Sequence, residues 1–145
     1  MYYSITFTNA QGVKKNTWAD WGLIPTTPPM VEPPPVAANY VEIPGGPPID
    51  VTEWLSGKPA YNNSEGSWVF VASRDPVNRT ELFREMMNFL HGQQLRIEFE
   101  EDPLHYRIGR ISLTSPSTGD IAFSIEIGYT INPIRYLYDG TQDGV

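Results

Sequence analysis

The sequence has 145 residues, enough for one domain with a substantial core and too few for two ordinary domains. Only 19% of the residues are charged, and 17 acidic against 10 basic residues leave a net charge of −7, which disfavours a helical bundle and specific nucleic-acid binding. The absence of cysteine excludes disulfides, thiolate nucleophiles and cysteine-based zinc sites, and no apolar run reaches the ~20 residues of a membrane-spanning helix.

The first predicted element is a strand over residues 2–8, YYSITFT, in which Tyr3, Ile5 and Phe7 share one face. The turn residues NAQG end this strand. No basic region precedes an apolar core in this segment, so it does not have the pattern of a signal peptide. We therefore expect the chain to be made and folded in a cytoplasm, without membrane insertion.

Two tryptophans, Trp18 and Trp21, stand just before a proline-rich segment. Residues 25–48 hold nine of the 14 prolines. Because proline has no backbone N–H to donate in a helix or a sheet, a helix or a central strand is excluded across most of the segment. It is either a disordered linker or PxxP ligand, or an ordered arm. We favour an ordered, extended arm because a solvated linker would not keep so many large apolar residues. These residues are Met30, Val31, Val36, Tyr40, Val41 and Ile43.

A strand at residues 67–75 and one α-helix at residues 79–91 are predicted next. Asn78 and Glu81 have the spacing of a capping box, and Gly92 stands where the end of a helix favours a left-handed residue. Apolar residues recur one helical turn apart along this helix, which predicts a stripe packed on the sheet. The stripe consists of Leu82, Phe83, Met86, Met87 and Leu90.

Three more strands are predicted after the helix, in QLRIEFE, HYRIGRISLTS and IAFSIEIGYTI. A helix followed by a β-meander predicts a mainly β fold, an antiparallel β-sandwich or open barrel with the single helix over one end or face. The last strand alternates most regularly, so one set of its side chains should face the core. This set consists of Ile121, Phe123, Ile125, Ile127, Tyr129 and Ile131.

The histidines do not predict a catalytic site. His91 lies at the predicted end of the helix, where a cation complements the helix dipole, and His105 opens a strand beside a turn. Neither has an evident Ser and Asp pairing in the sequence, although a triad can assemble in space. We interpret both as ordinary surface histidines. The segment PGGPP lacks the Lys and Ser/Thr of a phosphate-binding loop.

The densest acidic patch is EFEED, in which Glu98 and Glu100 share the outward face of one strand and Glu101 and Asp102 follow. Paired carboxylates could serve a glycosidase or hold a hard cation. The next strand carries Arg107 and Arg110 at hairpin distance, and cross-strand charge pairing accounts for the patch without catalysis. The sequence thus predicts no enzyme, no cofactor and no metal site.

Several aromatic residues lie in or beside poorly patterned segments rather than within the predicted strands. They could pack on their own domain, build a sugar-stacking platform, or form an intersubunit interface, where Trp and Tyr are enriched. Composition alone leaves these alternatives open. Together with the prolines at the centre of the arm, the candidate interface residues are Trp18, Trp21, Pro33, Pro34, Pro35, Tyr40, Trp54 and Tyr61.

Three blocks of the sequence resemble a known family. They are NTWADWGLIPTTPP, NYVEIPGGPPIDVTEWLSGKPAYNNSEGSWVF and LHGQQLRIEFEEDPLHYRIGRI, in that order. From about Tyr2 to Tyr138, the chain resembles the N-terminal domain of the distal tail proteins of long-tailed bacteriophages and related prophages. The resemblance implies one tail-tube-like, ring-forming domain over residues 1–138 and a flexible tail at 139–145. It also implies that the galectin-like second domain of many members is missing.

The resemblance implies a structural function at the tip of the virion tail. Such proteins form a hexameric ring that joins the tail tube to the tail tip or baseplate. The tail-tube protein lies above the ring and a tail-associated or tail-fibre protein lies below it. The tape-measure protein and the genome pass through its centre, which would suit an acidic lumen. Synthesis would take place in the cytoplasm of the bacterial host.

In a ring, the proline-rich arm could reach across the junction to a neighbouring subunit, with Trp18 and Trp21 anchoring its root. The alternative is an arm packed on its own domain. Three other functions remain open from the sequence. The chain could be a tail-tube subunit, which polymerises along the axis, or a monomeric carbohydrate-binding β-sandwich module. The weakest alternative is a glycosidase that uses the carboxylates of residues 98–102.

Overall fold

The computed structural model describes residues 2–38, 40–51, 54, 60–72, 78–115 and 123–145. The mainly β class with one helix is confirmed. The elements are β1 Ile5–Thr8, β2 Lys14–Asn16, β3 Leu23–Pro25, β4 Tyr40–Val41, β5 Ile49–Asp50, β6 Ser64–Ala72, α1 Arg79–Leu90, β7 Gln94–Phe99, β8 His105–Leu113, β9 Ser124–Ile131 and β10 Tyr136–Leu137.

One curled antiparallel sheet, a half-barrel, forms most of the described structure. Its strand order is β2-β1-β7-β8-β9-β6-β3, with β10 paired to β8, while β4 and β5 form a separate two-stranded hairpin. The predicted meander after the helix is confirmed, since β7, β8 and β9 pair consecutively. Pairing of β1 with β7 and of β6 with β9 joins segments that are distant in sequence.

The core lies on the concave side of this sheet and follows the predicted alternation. In β9, Ile125, Ile127 and Ile131 are buried, whereas Glu126 and Thr130 are exposed. Ile121, predicted on the same face, lies outside the described residues. The largest fully buried side chains are Phe7, Phe70, Phe123, Ile5, Leu23, Met86, Leu90, Leu95, Ile97, Ile111, Ile125 and Ile127.

Helix α1 begins and ends close to the predicted bounds. The side chain of Asn78 accepts a hydrogen bond from the Glu81 N–H at 3.0 Å, which satisfies a donor left free at the start of the helix. The Glu81 carboxylate pairs with Arg84 at 3.3 Å. Gly92 has a φ of 72°, the left-handed conformation predicted for the residue that follows the helix.

The apolar stripe of α1 is rotated slightly from the prediction. Met86 and Leu90 are fully buried as expected, but Met87 is exposed. Phe89, which was not predicted, packs on the core with its ring edge-on to Trp21 at 6.3 Å between centroids. Since each residue turns the helix by about 100°, burying Met86 and Phe89 on one face turns Met87 toward solvent.

Strand β6 differs from the predicted strand at residues 67–75 in its bounds. It begins three residues earlier, at Ser64, and residues 73–75 lie outside the described part of the chain. Trp68 and Phe70 are buried, whereas Val69 between them is exposed, so the strand buries mainly one face. On the opposite face from Trp68 and Phe70, Val71 is half-buried.

Residues 135–144, most of which belong to the segment expected to be a flexible tail or to the strand before it, form a hairpin. The Arg135 N–H donates to the Gly144 carbonyl and the Asp143 N–H donates to the Arg135 carbonyl, both at 2.8 Å. Its first strand, β10, pairs with the start of β8. These hydrogen bonds hold a polar, glycine-containing segment whose composition alone suggests a frayed end.

Candidate interaction surface

The proline-rich arm divides into two parts, and the inner part, residues 25–37, packs on its own domain. Pro25 pairs with Phe70 in the register of β3 and β6. The indole N–H of Trp68 donates to the Met30 carbonyl at 2.9 Å. The Glu32 N–H donates to the Tyr129 hydroxyl, also at 2.9 Å. Two core aromatic side chains thereby satisfy backbone groups of an arm that its prolines exclude from a central strand position.

A glycine makes room for this anchoring. The rings of Trp68 and Tyr129 stack with centroids 4.3 Å apart. Gly66 lies on β6 opposite Tyr129, and a Cβ atom at Gly66 would lie 2.5 Å from the Tyr129 hydroxyl oxygen and 2.7 Å from Cζ. The Tyr129 ring is held in place by its stack on Trp68. A side chain larger than glycine at position 66 would therefore block the path of the Tyr129 hydroxyl over β6 to the arm.

The inner arm ends in a short ladder with the segment before β6. Val36 forms an antiparallel bridge with Tyr61, and the Pro35 carbonyl accepts from the Asn62 N–H at 2.8 Å. An open groove of about 490 Å³ lies beside this ladder. It is lined by Pro33, Pro35, Asn62, Asn63 and Glu65.

The outer part of the arm, the β4–β5 hairpin, is exposed throughout. Every residue from Tyr40 to Ile49 is exposed, and Tyr40 itself is 62% exposed. The turn is formed by Gly45, with a φ of 76°, and by the Gly46 N–H, which donates to the Ile43 carbonyl at 3.1 Å. We name this hairpin together with Trp54, which is 73% exposed, the outer apolar surface. Its large apolar side chains are Tyr40, Val41, Ile43, Ile49 and Trp54.

The two tryptophans before the arm have different environments. Trp21 is 6% exposed and belongs to the core, where its indole nitrogen has no hydrogen-bond partner among the described residues. Trp18 is half-buried and stacks on Tyr2 at 4.0 Å between centroids. In the isolated chain Trp21 therefore supports the root of the arm from inside the fold, and little of its surface remains for a neighbour. An interface role of either residue stays a prediction.

The eight predicted interface residues thus lie in three places. Pro33, Pro34, Pro35 and Tyr61 belong to the inner arm and its ladder, Tyr40 and Trp54 to the outer apolar surface, and Trp18 and Trp21 to the root. Sequence reasoning missed Ile49 as a member of the exposed set. The signal that could have found it is the Gly-Gly pair between two short apolar runs, which is typical of a hairpin.

The acidic patch is engaged in structural contacts. Glu98 lies 3.1 Å from Arg96 on its own strand and accepts from the Tyr138 hydroxyl at 2.8 Å. Glu100 accepts from both the N–H and the hydroxyl of Ser4 at 2.9 Å, and the backbone bond from Ser4 lowers the pKa of its carboxyl group. Each of the two carboxylates is thus committed to a separate contact. Among the described residues no group of His, Cys, Asp and Glu side chains could hold a metal ion.

The predicted pairing of these carboxylates with Arg107 and Arg110 is wrong. The strand register places Arg110 opposite Gln94, and its guanidinium donates to the Gly92 carbonyl at 2.7 Å. Arg107 is half-buried opposite Ile97, and burial lowers its pKa. The hairpin register, which is set by the turn and the core face, decided these partners rather than charge complementarity.

Both histidines make specific contacts that the sequence did not predict. The Nδ1 atom of His91 accepts a hydrogen bond from the Leu113 N–H at 3.0 Å. His105 lies between the carboxylates of Asp102 and Asp143, whose hydrogen bonds raise the pKa of its ring. Among the described residues no Ser, Thr or Tyr hydroxyl is hydrogen-bonded to either ring.

Comparison with known proteins found a similarity in structure but none in sequence. No protein-family model matches the sequence, and no curated protein matches it. The solved structure of SPP1 Dit, a protein presented as a paradigm of the hub adsorption apparatus in phages that infect Gram-positive bacteria, has a similar fold. The TM-score is 0.55 at 14% sequence identity, and the match covers 92% of this chain. The chain spans about half of SPP1 Dit, since 52% of that protein is covered.

The likeness to SPP1 Dit supports the mainly β fold of the described residues. Within the described residues no helix is both long enough and apolar enough to cross a membrane.

Proposed function

We propose that the chain is a structural subunit of a phage tail hub that assembles with copies of itself into a six-membered ring. The observation that carries this proposal is the fold shared with SPP1 Dit over 92% of the chain. The sequence resemblance to distal tail proteins supports the same function. The ring-forming domain would comprise residues 1–138.

The outer apolar surface supports self-assembly. Tyr40 and Trp54 are 62% and 73% exposed, and three aliphatic side chains of the hairpin are exposed with them. Exposed apolar groups of this size, set together on a projecting hairpin, mark an interaction site rather than an ordinary monomer surface. Tryptophan and tyrosine are the residues that contribute most at protein interfaces.

The geometry of the arm favours a cyclic assembly. Apart from Trp54, the outer apolar surface lies on a hairpin that is not part of the main sheet. A projecting element that binds a different surface of the next subunit makes a heterologous interface, which closes into a ring when the rotation permits. The inner arm, held by Trp68 and Tyr129, would fix the direction of the hairpin before assembly and so reduce the entropy lost on binding.

The proposed location is the virion tail tip, after synthesis in the cytoplasm of the bacterial host. The proposed partners are the tail-tube protein on one side of the ring and a tail-associated or tail-fibre protein on the other, with the tape-measure protein passing through. The net charge of −7 is compatible with a bore that repels passing DNA. The engaged carboxylates of Glu98 and Glu100 and the structural nature of the hub support a role without catalysis.

The test is the mass of the protein in solution, measured by light scattering after size exclusion over a concentration series. We expect a species of six or twelve subunits that grows with concentration. Trp54→Ala should shift the protein to monomer, whereas Leu104→Ala, an exposed apolar residue at 66% exposure outside the outer apolar surface, should not. Both variants should keep the wild-type circular dichroism spectrum.

Three outcomes would contradict the ring hub. Long open-ended polymers would indicate a tail-tube subunit. A monomer at every concentration that binds glycans, with binding abolished by Trp54→Ala, would indicate a carbohydrate-binding module. Equal loss of assembly in Trp54→Ala and Leu104→Ala would indicate that the contact between subunits does not depend specifically on the outer apolar surface.

A further inference from the structure

His105 joins two segments that are far apart in sequence. Its Nδ1 atom lies 2.7 Å from the Asp102 carboxylate in the turn between β7 and β8. Its Nε2 atom lies 2.6 Å from the Asp143 carboxylate in the hairpin of residues 135–144. The imidazole side chain is 15% exposed, whereas the side chains of Asp102 and Asp143 are 38% and 47% exposed.

This arrangement requires two protons on the ring. A neutral imidazole carries one N–H donor and one lone-pair acceptor, whereas imidazolium carries two donors. Ionised Asp102 and Asp143 can only accept. When the ring is charged, both nitrogens of His105 therefore donate hydrogen bonds to carboxylates. When the ring is neutral, one nitrogen instead turns its lone pair toward an anionic oxygen, and that hydrogen bond is lost.

The other charges around His105 leave the histidine as the group that changes. Arg135 lies 3.6 Å from Asp102 and 3.5 Å from Asp143, and it remains charged at all relevant pH values. Arg107, two residues along β8, carries the other nearby positive charge. Two carboxylates thus face two arginine side chains and one titrating ring, and loss of one ring proton removes the hydrogen bond to one of the two carboxylates.

We propose that His105 is a proton-dependent clasp that fastens the 135–144 hairpin to the β7–β8 turn. The clasp is closed when the ring is doubly protonated. On deprotonation His105 keeps a single donor, so one carboxylate loses its hydrogen bond to the ring and the second strand of the hairpin loosens from the turn. Strand β10 stays paired with β8, so the hydrogen bonds that weaken are those between the two strands of the hairpin, donated by Arg135, Leu137 and Asp143.

The direction of the pH dependence follows from the pKa of His105. Hydrogen bonds from Asp102, and then from Asp143, raise this pKa above its ordinary value of about 6.5. The stability contributed by the clasp is therefore fully present below pH ~6.5 and is lost as the pH rises through the raised pKa.

The test is amide hydrogen exchange of the whole chain at pH 5.5 and pH 9, expressed as protection factors so that the intrinsic pH dependence of exchange is removed. The reporter amides are those of Arg135, Leu137 and Asp143, which donate within the hairpin. We expect their protection to fall about tenfold at pH 9, the order of magnitude expected for the loss of one hydrogen bond to a charged group. Amides of β9 should keep their protection.

Two variants separate the clasp from general pH effects. His105→Gln offers one donor and one acceptor, so it should show low hairpin protection at both pH values and no pH step. His91→Gln changes the other histidine and should retain the wild-type step. If His105→Gln fails to fold, the pH dependence of hairpin protection in the wild-type protein still tests the proposal. The midpoint of the protection loss should coincide with the titration of the His105 ring nitrogens in ¹⁵N spectra.

Equal hairpin protection at pH 5.5 and pH 9 in the wild type would overturn the proposal. A step that persists in His105→Gln, or a midpoint that differs from the His105 titration, would overturn it as well. None of these outcomes depends on ring assembly, because every reporter lies within one chain.

Discussion

The inner arm and the outer hairpin belong to one proline-rich segment, yet they differ in what holds them. The inner arm, residues 25–37, is tied to the sheet through Trp68 and Tyr129. The β4–β5 hairpin, a few residues further on, is exposed throughout. The difference shows that proline stiffens both halves, whereas contacts with core aromatics decide which half is part of the domain.

Replacing Gly66 should have the largest effect on the fold. In Gly66→Ala the new Cβ would overlap the Tyr129 ring, which Trp68 prevents from moving aside, so both the stack and the arm contact must shift. We expect a loss of about 1–3 kcal/mol in the free energy of unfolding, measured by denaturant titration. Gly46→Ala is the matched control in the outer hairpin, because its Cβ would meet Ile43 at an ordinary 3.9 Å. If Gly66→Ala and Gly46→Ala lowered the free energy of unfolding equally, the inner arm and the outer hairpin would not differ in their contribution to the stability of the domain.

Removing one hydroxyl should have an intermediate effect. Tyr129→Phe keeps the ring stack but leaves the Glu32 N–H without its acceptor, which should cost about 1–3 kcal/mol where the site is closed to water. Tyr40→Phe in the outer hairpin removes an exposed hydroxyl and should change stability by less than about 0.5 kcal/mol. Thermal and denaturant unfolding of both variants measure the contrast. A Tyr129→Phe protein as stable as the wild type would show that water replaces the hydroxyl.

Truncating the exposed tryptophan should have the smallest effect on folding and the largest on assembly. Trp54→Ala should change the free energy of unfolding by less than about 0.5 kcal/mol, since the ring is 73% exposed in the chain. At concentrations where the wild type assembles, the measured unfolding midpoint of Trp54→Ala should be lower, because binding stabilises only the assembled folded state. Unfolding of the wild type and variant at two concentrations tests this. A large loss of stability in the dilute monomer would assign Trp54 to the fold.

Local pattern predicted the elements well but could not predict their polar partners. The alternation in β9 and the caps of α1 depend on residues within one strand or one helical turn. The capping roles of Asn78 and Gly92 and the burial of Ile125 and Ile127 could therefore be predicted from the sequence. The partner of Glu100 could not, because Ser4 is 96 residues away and reaches it only when β1 pairs with β7.

The same limit applies to the candidate surface. The sequence indicated which residues are suited to an interface, and it placed Trp21, Trp54 and Tyr40 in one set. Trp21 differs from the other two because it is buried, with Phe89 of the helix packed edge-on against its ring, a contact between segments that are 68 residues apart. Trp54 and Tyr40 remain exposed because no described element of the chain packs over them.

The sequence by itself determined the class of fold, the single helix with its caps, and the strands of the meander, because periodicity and capping act over a few residues. The tertiary structure alone decided that the arm divides into an inner and an outer part, that Glu98 and Glu100 have separate partners, and that His105 links the β7–β8 turn to the 135–144 hairpin. These features depend on strand register and on contacts between distant segments, which are set by how the whole core packs rather than by neighbouring residues.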